Sequence, residues 1–254
     1  MNTLLEKTGF WLARYLQKEL PGYSPASHTK RAHLQACLQP GDIVLVEGNL
    51  RISVAIKYLT QSTWSHACFY AGPLPGGAGD EGDPLCLIEA DVVEGVIAVP
   101  LSKYAGQHIR ICRPVKLGAA DRDALVAFMI SKLGMVYDIK NAIDLLRYLF
   151  PQPPVPVRWR RRFLALGSGD PTRAICSTLI AQAFEAIHYP VLPIIKRTYG
   201  DDGSEREIMH IRHHSLYTPR DFDLSPYFQI VKPTLEAGFD YKAVEWASVG
   251  SETV

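Results

Sequence analysis

The chain has 254 residues, with 27 Lys and Arg against 26 Asp and Glu, for a formal net charge of +1. That length supports one sizeable core, or one domain with elaborations, and the balanced charge gives no case for a nucleic-acid partner. Five cysteines stand apart without a Cys-x-x-Cys pair, which argues against a disulfide framework and a zinc ribbon and fits a reducing compartment.

In residues 3 to 20, Leu4, Leu5, Phe10-Trp11-Leu12, Tyr15-Leu16 and Leu20 recur at helical spacing, and Pro21-Gly22 ends the pattern. The segment reads as an amphipathic helix that packs on the core. The alternative is a helix at a membrane surface or substrate entrance, which its mixed charge disfavours. Glu6, Lys7, Arg14, Lys18 and Glu19 interrupt the apolar residues, so no secretory signal is expected. No stretch is apolar and long enough to span a bilayer. The expectation is a cytoplasmic protein whose membrane contact, if any, is peripheral.

A strand is predicted over 42–47, opened by Pro40-Gly41-Asp42, and a helical stretch from Ile52 to Leu59 leads to a second strand in Trp64-Ser65-His66-Ala67-Cys68-Phe69-Tyr70. Pro73 to Pro84 is rich in Gly, Pro and Asp and reads as a surface turn. Strands follow at 85–90, 94–99 and 108–113. Asp121 is a candidate N-cap for a helix over 122–133, which Gly134 closes. Residues 141–171 read as an insertion. It holds the apolar run Ala142 to Phe150, a Pro-rich extended part at 151–156, and Arg158-Trp159-Arg160-Arg161-Arg162-Phe163. That last run is either a solvated basic end or a surface for anionic lipid headgroups. A helix over 176–187 and a polar loop around Asp201-Asp202-Gly203 follow, the run Thr218 to Phe222 and a strand over 228–231 are expected to complete the sheet, and the last ten or so residues read as a frayed tail. The divisions are 1–37, a main domain over 38–232, and a tail over 233–254.

Cys176 carries the most chemistry. It opens a predicted helix, where backbone N–H groups and the helix dipole favour a thiolate. Cys37, Cys68, Cys86 and Cys112 read as small core residues instead. His66 enters its strand at the polar end and can reach a cleft, which sets it above His28, His33, His108, His188, His210, His213 and His214. The pair His213-His214 suggests a metal, but neighbours on a strand point to opposite sides and no carboxylate or cysteine cluster completes a zinc site. Glu89 interrupts the apolar run Leu85-Cys86-Leu87-Ile88 and is a candidate to orient the histidine, with Asp91 and Glu94 as alternatives.

The chain order is therefore His, Glu, Cys, whereas papain-type enzymes place the cysteine first. With Pro40-Gly41-Asp42-Ile43-Val44-Leu45, Trp64-Ser65-His66-Ala67, Ile88-Glu89-Ala90, Gly134-Met135-Val136-Tyr137-Asp138 and Ile175-Cys176-Ser177-Thr178-Leu179-Ile180, the chain resembles the permuted papain-like cysteine hydrolases of the NlpC-type superfamily, YiiX/YebB-like branch. The likeness spans residues 38 to 232. It implies an α+β fold in which an antiparallel sheet packs against the helix carrying the cysteine. It implies Cys176 as nucleophile, His66 as base, Glu89 as orienter and Tyr137 as a hydroxyl lining the site. Gly41 and Asp42 match too, but a turn before a strand explains them. The implied activity is cleavage of an amide or ester in a small-molecule, lipid or peptide substrate, with no metal or organic cofactor. Residues 3–20 and 158–163 tilt that substrate toward a lipid or acylated one and are the candidate membrane contacts. Rival expectations are an acyltransferase of the lecithin–retinol acyltransferase type, a peptidoglycan peptide amidase or endopeptidase, and a binding module without turnover.

Overall fold

Four apolar residues in a row, Ile43-Val44-Leu45-Val46, cannot all lie on one face of a strand, because alternate side chains point to opposite faces. Such a strand requires cover on both sides, and each of the four is fully buried. The computed structural model describes residues 30–75, 83–91, 93–136, 175–199 and 205–245, with residues 15, 17–20 and 22. Most of the segment expected to be helical at 3–20, Tyr137, the insertion at 141–171 and the end of the tail lie outside the described residues.

Strands β1 (Ile43–Glu47), β2 (His66–Tyr70), β3 (Leu85–Asp91), β4 (Gly95–Pro100) and β5 (His108–Pro114) join a late strand, β8 (Phe228–Val231), in one six-stranded sheet. The spatial order is β4-β3-β2-β1-β5-β8, and every neighbouring pair is antiparallel. Strands β6 (Ile194–Tyr199) and β7 (Glu205–His210) form a separate antiparallel pair. The fold is α+β, with helices α1 (Arg31–Cys37), α2 (Arg51–Thr60), α3 (Ala119–Ser131), α4 (Ile175–Ala186), α5 (Pro219–Leu224) and α6 (Pro233–Glu236).

The register sorts the sheet into two faces. Ile43 opposes Phe69 and Leu45 opposes Ala67, and this face packs on Leu125 and Met129 of α3 and on Leu179, Ile180, Ala183 and Phe184 of α4. Val44 opposes Cys68 and Val46 opposes His66. That second face is covered by Leu34 and Leu38 from α1 and its exit, and by Leu101 and Tyr104 from the turn after β4. Each side chain fully removed from water contributes about 1.5–3 kcal/mol. The Asp42 carboxylate, 1% exposed, takes both arms of the Arg113 guanidinium at 2.8 and 2.7 Å and the Gln39 N–H at 2.8 Å. Gly41 turns the chain into β1 at φ +97. The Gly41-Asp42 pair is thus a turn anchored by an ion pair.

Several elements differ from the sequence expectation. Helix α3 starts at Ala119 with Gly118 as its N-cap, so Asp121 lies in the first turn rather than at the cap. A carboxylate there still meets the positive end of the helix dipole. The run Thr218 to Phe222 opens α5 through a capping box, in which Asp221 Oδ2 accepts from the Thr218 N–H at 2.8 Å and Pro219 sits in the first turn. Asp201-Asp202-Gly203 falls between β6 and β7. Pro233–Glu236, in the segment assigned to the tail, packs against α1.

The C-terminal half of α4 is held by an aromatic cluster: the Phe184 ring lies 5.4 Å from Tyr189, 5.2 Å from Phe228 and 6.5 Å from Phe222. Phe184→Ala is expected to cost about 3–5 kcal/mol of unfolding free energy, measured by urea denaturation.

Candidate functional site

The site begins with a defect in the sheet. Strand β2 pairs with β1 at each residue from His66 to Phe69, but with β3 only at Phe69–Ile88 and Tyr70–Leu87. Beyond Ile88, β3 continues against β4 as far as Asp91–Gly95. A notch therefore opens between the start of β2 and the end of β3. Tyr70 donates its N–H to Asp42 O on the β1 side, and Ala71 donates to Cys86 O on the β3 side, both at 2.9 Å. Successive N–H groups point to opposite sides of a strand, so Ala67, in step with Phe69 and Ala71, aims its N–H into the notch.

Cys176, the second residue of α4, fills that place. Its sulfur lies beside the N–H groups of Ala67 and Ser177 and faces the His66 ring, and the residue is 9% exposed. Helix α4 packs along β2 and β3, and Ser177 Oγ donates to Tyr217 O at 2.9 Å, holding this first turn in place. Cys176 belongs to the apolar cluster on the α4 face of the sheet. His66 shares the opposite face with Val46. The notch is where side chains from the two faces can meet.

His66 Nε2 lies 3.1 Å from Glu89 Oε2. With Nε2–H given to the carboxylate, Nδ1 keeps the lone pair that can take a thiol proton. Glu89 is 2% exposed and accepts three further donors. Cys68 Sγ lies 3.3 Å from Oε2, Tyr104 OH donates to the same oxygen, and the Lys103 ammonium donates to Oε1. Lys103 and Tyr104 come from the 3-10 turn Leu101–Tyr104 that follows β4.

These contacts fix the charges. Burial would raise the Glu89 carboxyl, but the hydrogen bond and charge of His66 and the Lys103 ammonium hold it well below the usual carboxylate range. Burial pushes the Cys176 thiol up, yet the adjacent His66 cation and the Ala67 and Ser177 N–H groups more than offset this and lower it. Burial favours neutral His66, and the neighbouring Cys68 and Cys176 sulfurs outweigh that, so the imidazole is raised well above its ordinary value. Of the two sulfurs Cys176 is the more acidic, because burial pushes Cys68 up to about 11 while Cys176 is lowered. The arrangement favours a Cys176 thiolate beside a protonated His66 ring, while Cys68 keeps its S–H proton. Such a pair can attack an electrophilic carbon and return a proton to a leaving group.

Of the residues singled out in the sequence, Cys176, His66 and Glu89 come together, and Tyr137 lies outside the described residues. Gly134 and Met135, just before it, bond to Val96 of β4 at 2.9 and 2.8 Å. The alternatives to Glu89 are occupied elsewhere. Asp91 caps the turn after β3, accepting from Val93 and Glu94 N–H at 2.7 and 2.9 Å and from Gln17 at 2.8 Å, and Glu94 is exposed in that turn. The His213-His214 pair, expected to lie on a strand, does not. β7 stops at His210, so strand alternation does not separate the two rings, which stack 4.2 Å apart, and His214 pairs with Glu185 at 3.2 Å.

Lys103, Tyr104, Cys68 and the Ala67 N–H were not singled out for the site. Strand alternation places Cys68 on the His66 face; nothing in Leu101-Ser102-Lys103-Tyr104 marks the other two. Among the described residues, His66, Cys68 and Glu89 form a group whose ligand atoms lie within 4.8 Å of one another. Glu89 already carries the Lys103 ammonium, whose positive charge opposes a divalent cation at that carboxylate.

No family model matches the chain, and no curated protein matches it. A similar solved structure is that of the metalloprotein YiiX from Escherichia coli O157:H7, at 17% identity and a TM-score of 0.45, covering 76% of this chain and 96% of that one. No helix among the described residues is long and apolar enough to cross a membrane.

Iodoacetamide at about pH 6.5 is expected to modify Cys176 at least about tenfold faster than Cys68 or Cys112, since burial pushes Cys112 up to about 12. The Cys176 rate holds as pH falls until the lowered thiol pKa is crossed. Mass mapping of the labelled peptides checks this, and in His66→Ala the selectivity should collapse.

Proposed function

We propose that this chain is a cysteine hydrolase of permuted papain-like build that cleaves an amide or ester through an acyl-enzyme. One observation carries the reading: a single imidazole stands between the Cys176 thiol and a buried carboxylate. The chain order His66, Glu89, Cys176, with the cysteine on a helix laid against the sheet, is what a permuted arrangement requires.

In the proposed reaction the Cys176 thiolate attacks the carbonyl carbon, and the carbonyl π pair moves onto oxygen. The backbone N–H of Cys176, at the start of α4, is the natural donor to that oxyanion. As the tetrahedral species collapses, the bond to the leaving amine or alkoxide breaks and His66 Nδ1–H supplies its proton. Neutral His66 then takes a proton from water, whose oxygen attacks the thioester. Collapse of the second tetrahedral species releases the carboxylic acid and returns the thiolate, with His66 again an imidazolium. Glu89 keeps Nε2–H engaged throughout, fixing the tautomer and orientation.

For the substrate we propose an acylated or lipid molecule, on the composition of residues 3–20 and 158–163, which lie largely outside the described residues. A screen of esters and amides tests the activity. In Cys176→Ala and His66→Ala, turnover should drop by about 10³-fold or more with thermal melting preserved; unchanged turnover in either purified variant overturns the assignment. Flotation with anionic liposomes tests the membrane contact, where co-migration of the full chain is expected and its failure removes that part of the proposal.

A further inference from the structure

The Glu89 carboxylate holds one cation more than the proposed reaction uses. The His66 ring engages Oε2, while the Lys103 ammonium engages Oε1. The Lys103 side chain is 40% exposed, so its charge reaches this buried oxygen although solvent lies within its reach. From this geometry we infer that Lys103 is a positioning residue that sets the acidity of His66 by sharing the Glu89 carboxylate with it. The inference rests on the reading of Cys176, His66 and Glu89 as the reacting set.

Without Lys103 the carboxylate would keep only the neutral Cys68 and Tyr104 donors beside the imidazolium, and its charge would overstabilise the protonated ring. His66 would then be a poor proton donor to a leaving group and, once protonated, slow to return to the base form. A second cation on the other oxygen draws off part of that charge and fixes the carboxylate plane, leaving Oε2 aimed at Nε2. Among the described groups around the ring, Lys103 is the cation that acts on it through the shared carboxylate. On its own strand His66 faces Cys68, and from the turn after β4 it faces the Tyr104 ring at 6.0 Å. Both stay neutral near pH 7, because burial and the neighbouring carboxylate push Tyr104 well above its ordinary value and burial pushes Cys68 up to about 11. From β3 it faces Glu89, and from α4 it faces Cys176. Asp91, further along β3, acts on Lys103 rather than on the ring.

The test titrates the His66 ring by imidazole nitrogen NMR, beside the pH profile of Cys176 alkylation, in the full chain and in Lys103→Met, Lys103→Gln and Lys103→Arg. Melting curves check that each variant is folded. Removing the charge should raise the His66 pKa by about one pH unit in both Met and Gln variants, since Gln keeps a donor for Oε1 without the cation. Arg should return it to within a few tenths of a unit of the parent. A His66 titration identical in the parent and in folded Lys103→Met and Lys103→Gln overturns the inference while leaving the thiolate–imidazolium pair intact. A parent chain in which Cys176 titrates as an ordinary thiol, indifferent to His66→Ala, overturns the underlying reading, and this inference with it.

Discussion

A carboxylate at 2% exposure is tolerable only when donors replace the water it has lost, and Glu89 sets that condition for the whole centre. Its donors come from two places: His66 and Cys68 from β2, Lys103 and Tyr104 from the turn after β4. They converge where the backbone ladder between β2 and β3 has stopped, one residue beyond Phe69–Ile88. Side-chain hydrogen bonds thus take over the cross-strand tie at the point where main-chain bonds give way. Removing the carboxylate would cost more than an orienting contact, because Tyr104 and Cys68, both buried, would lose their acceptor.

The notch resolves a geometric difficulty. Side chains on opposite faces of a sheet do not meet, yet Cys176 packs with one apolar cluster and His66 shares a face with the other. A complete ladder would keep them apart. Because β2 and β3 part company at Phe69, the first turn of α4 can reach through to the ring. The position of Cys176 is then set from two ends: by Ser177 bonded to Tyr217 O, and by the Phe184, Phe222 and Phe228 rings at the far end of the helix.

Apolar runs made the six sheet strands legible, and α4 with its cysteine near the start was legible for the same reason. Glu89 stood out because an acid in Leu85-Cys86-Leu87-Ile88-Glu89-Ala90 has to be either exposed or paired. What escaped has physical causes. Lys103 and Tyr104 act through a short 3-10 turn with no periodicity to read. Helix α5 lies in a run expected to help complete the sheet, although Thr218-Pro219-Arg220-Asp221 carries a capping box and a first-turn proline. In β6 and β7, Ile194, Ile195, Ile208 and Met209 are all exposed, so no buried face imposed the alternation by which strands are recognised. The pair His213-His214 lies where a 3-10 turn begins, so the alternation of a strand does not apply to it.

The Ala67 N–H that meets the thiolate belongs to the main chain, and this has a consequence for how the sequence at that position can drift. Nearly any side chain that fits the α4 face would leave the donor in place, so the residue next to His66 carries no chemical signature of its role. Proline alone lacks the hydrogen. The contribution of position 67 is therefore a negative requirement, the exclusion of one residue type, and it is written in the shape of the sheet rather than in the letter of the sequence.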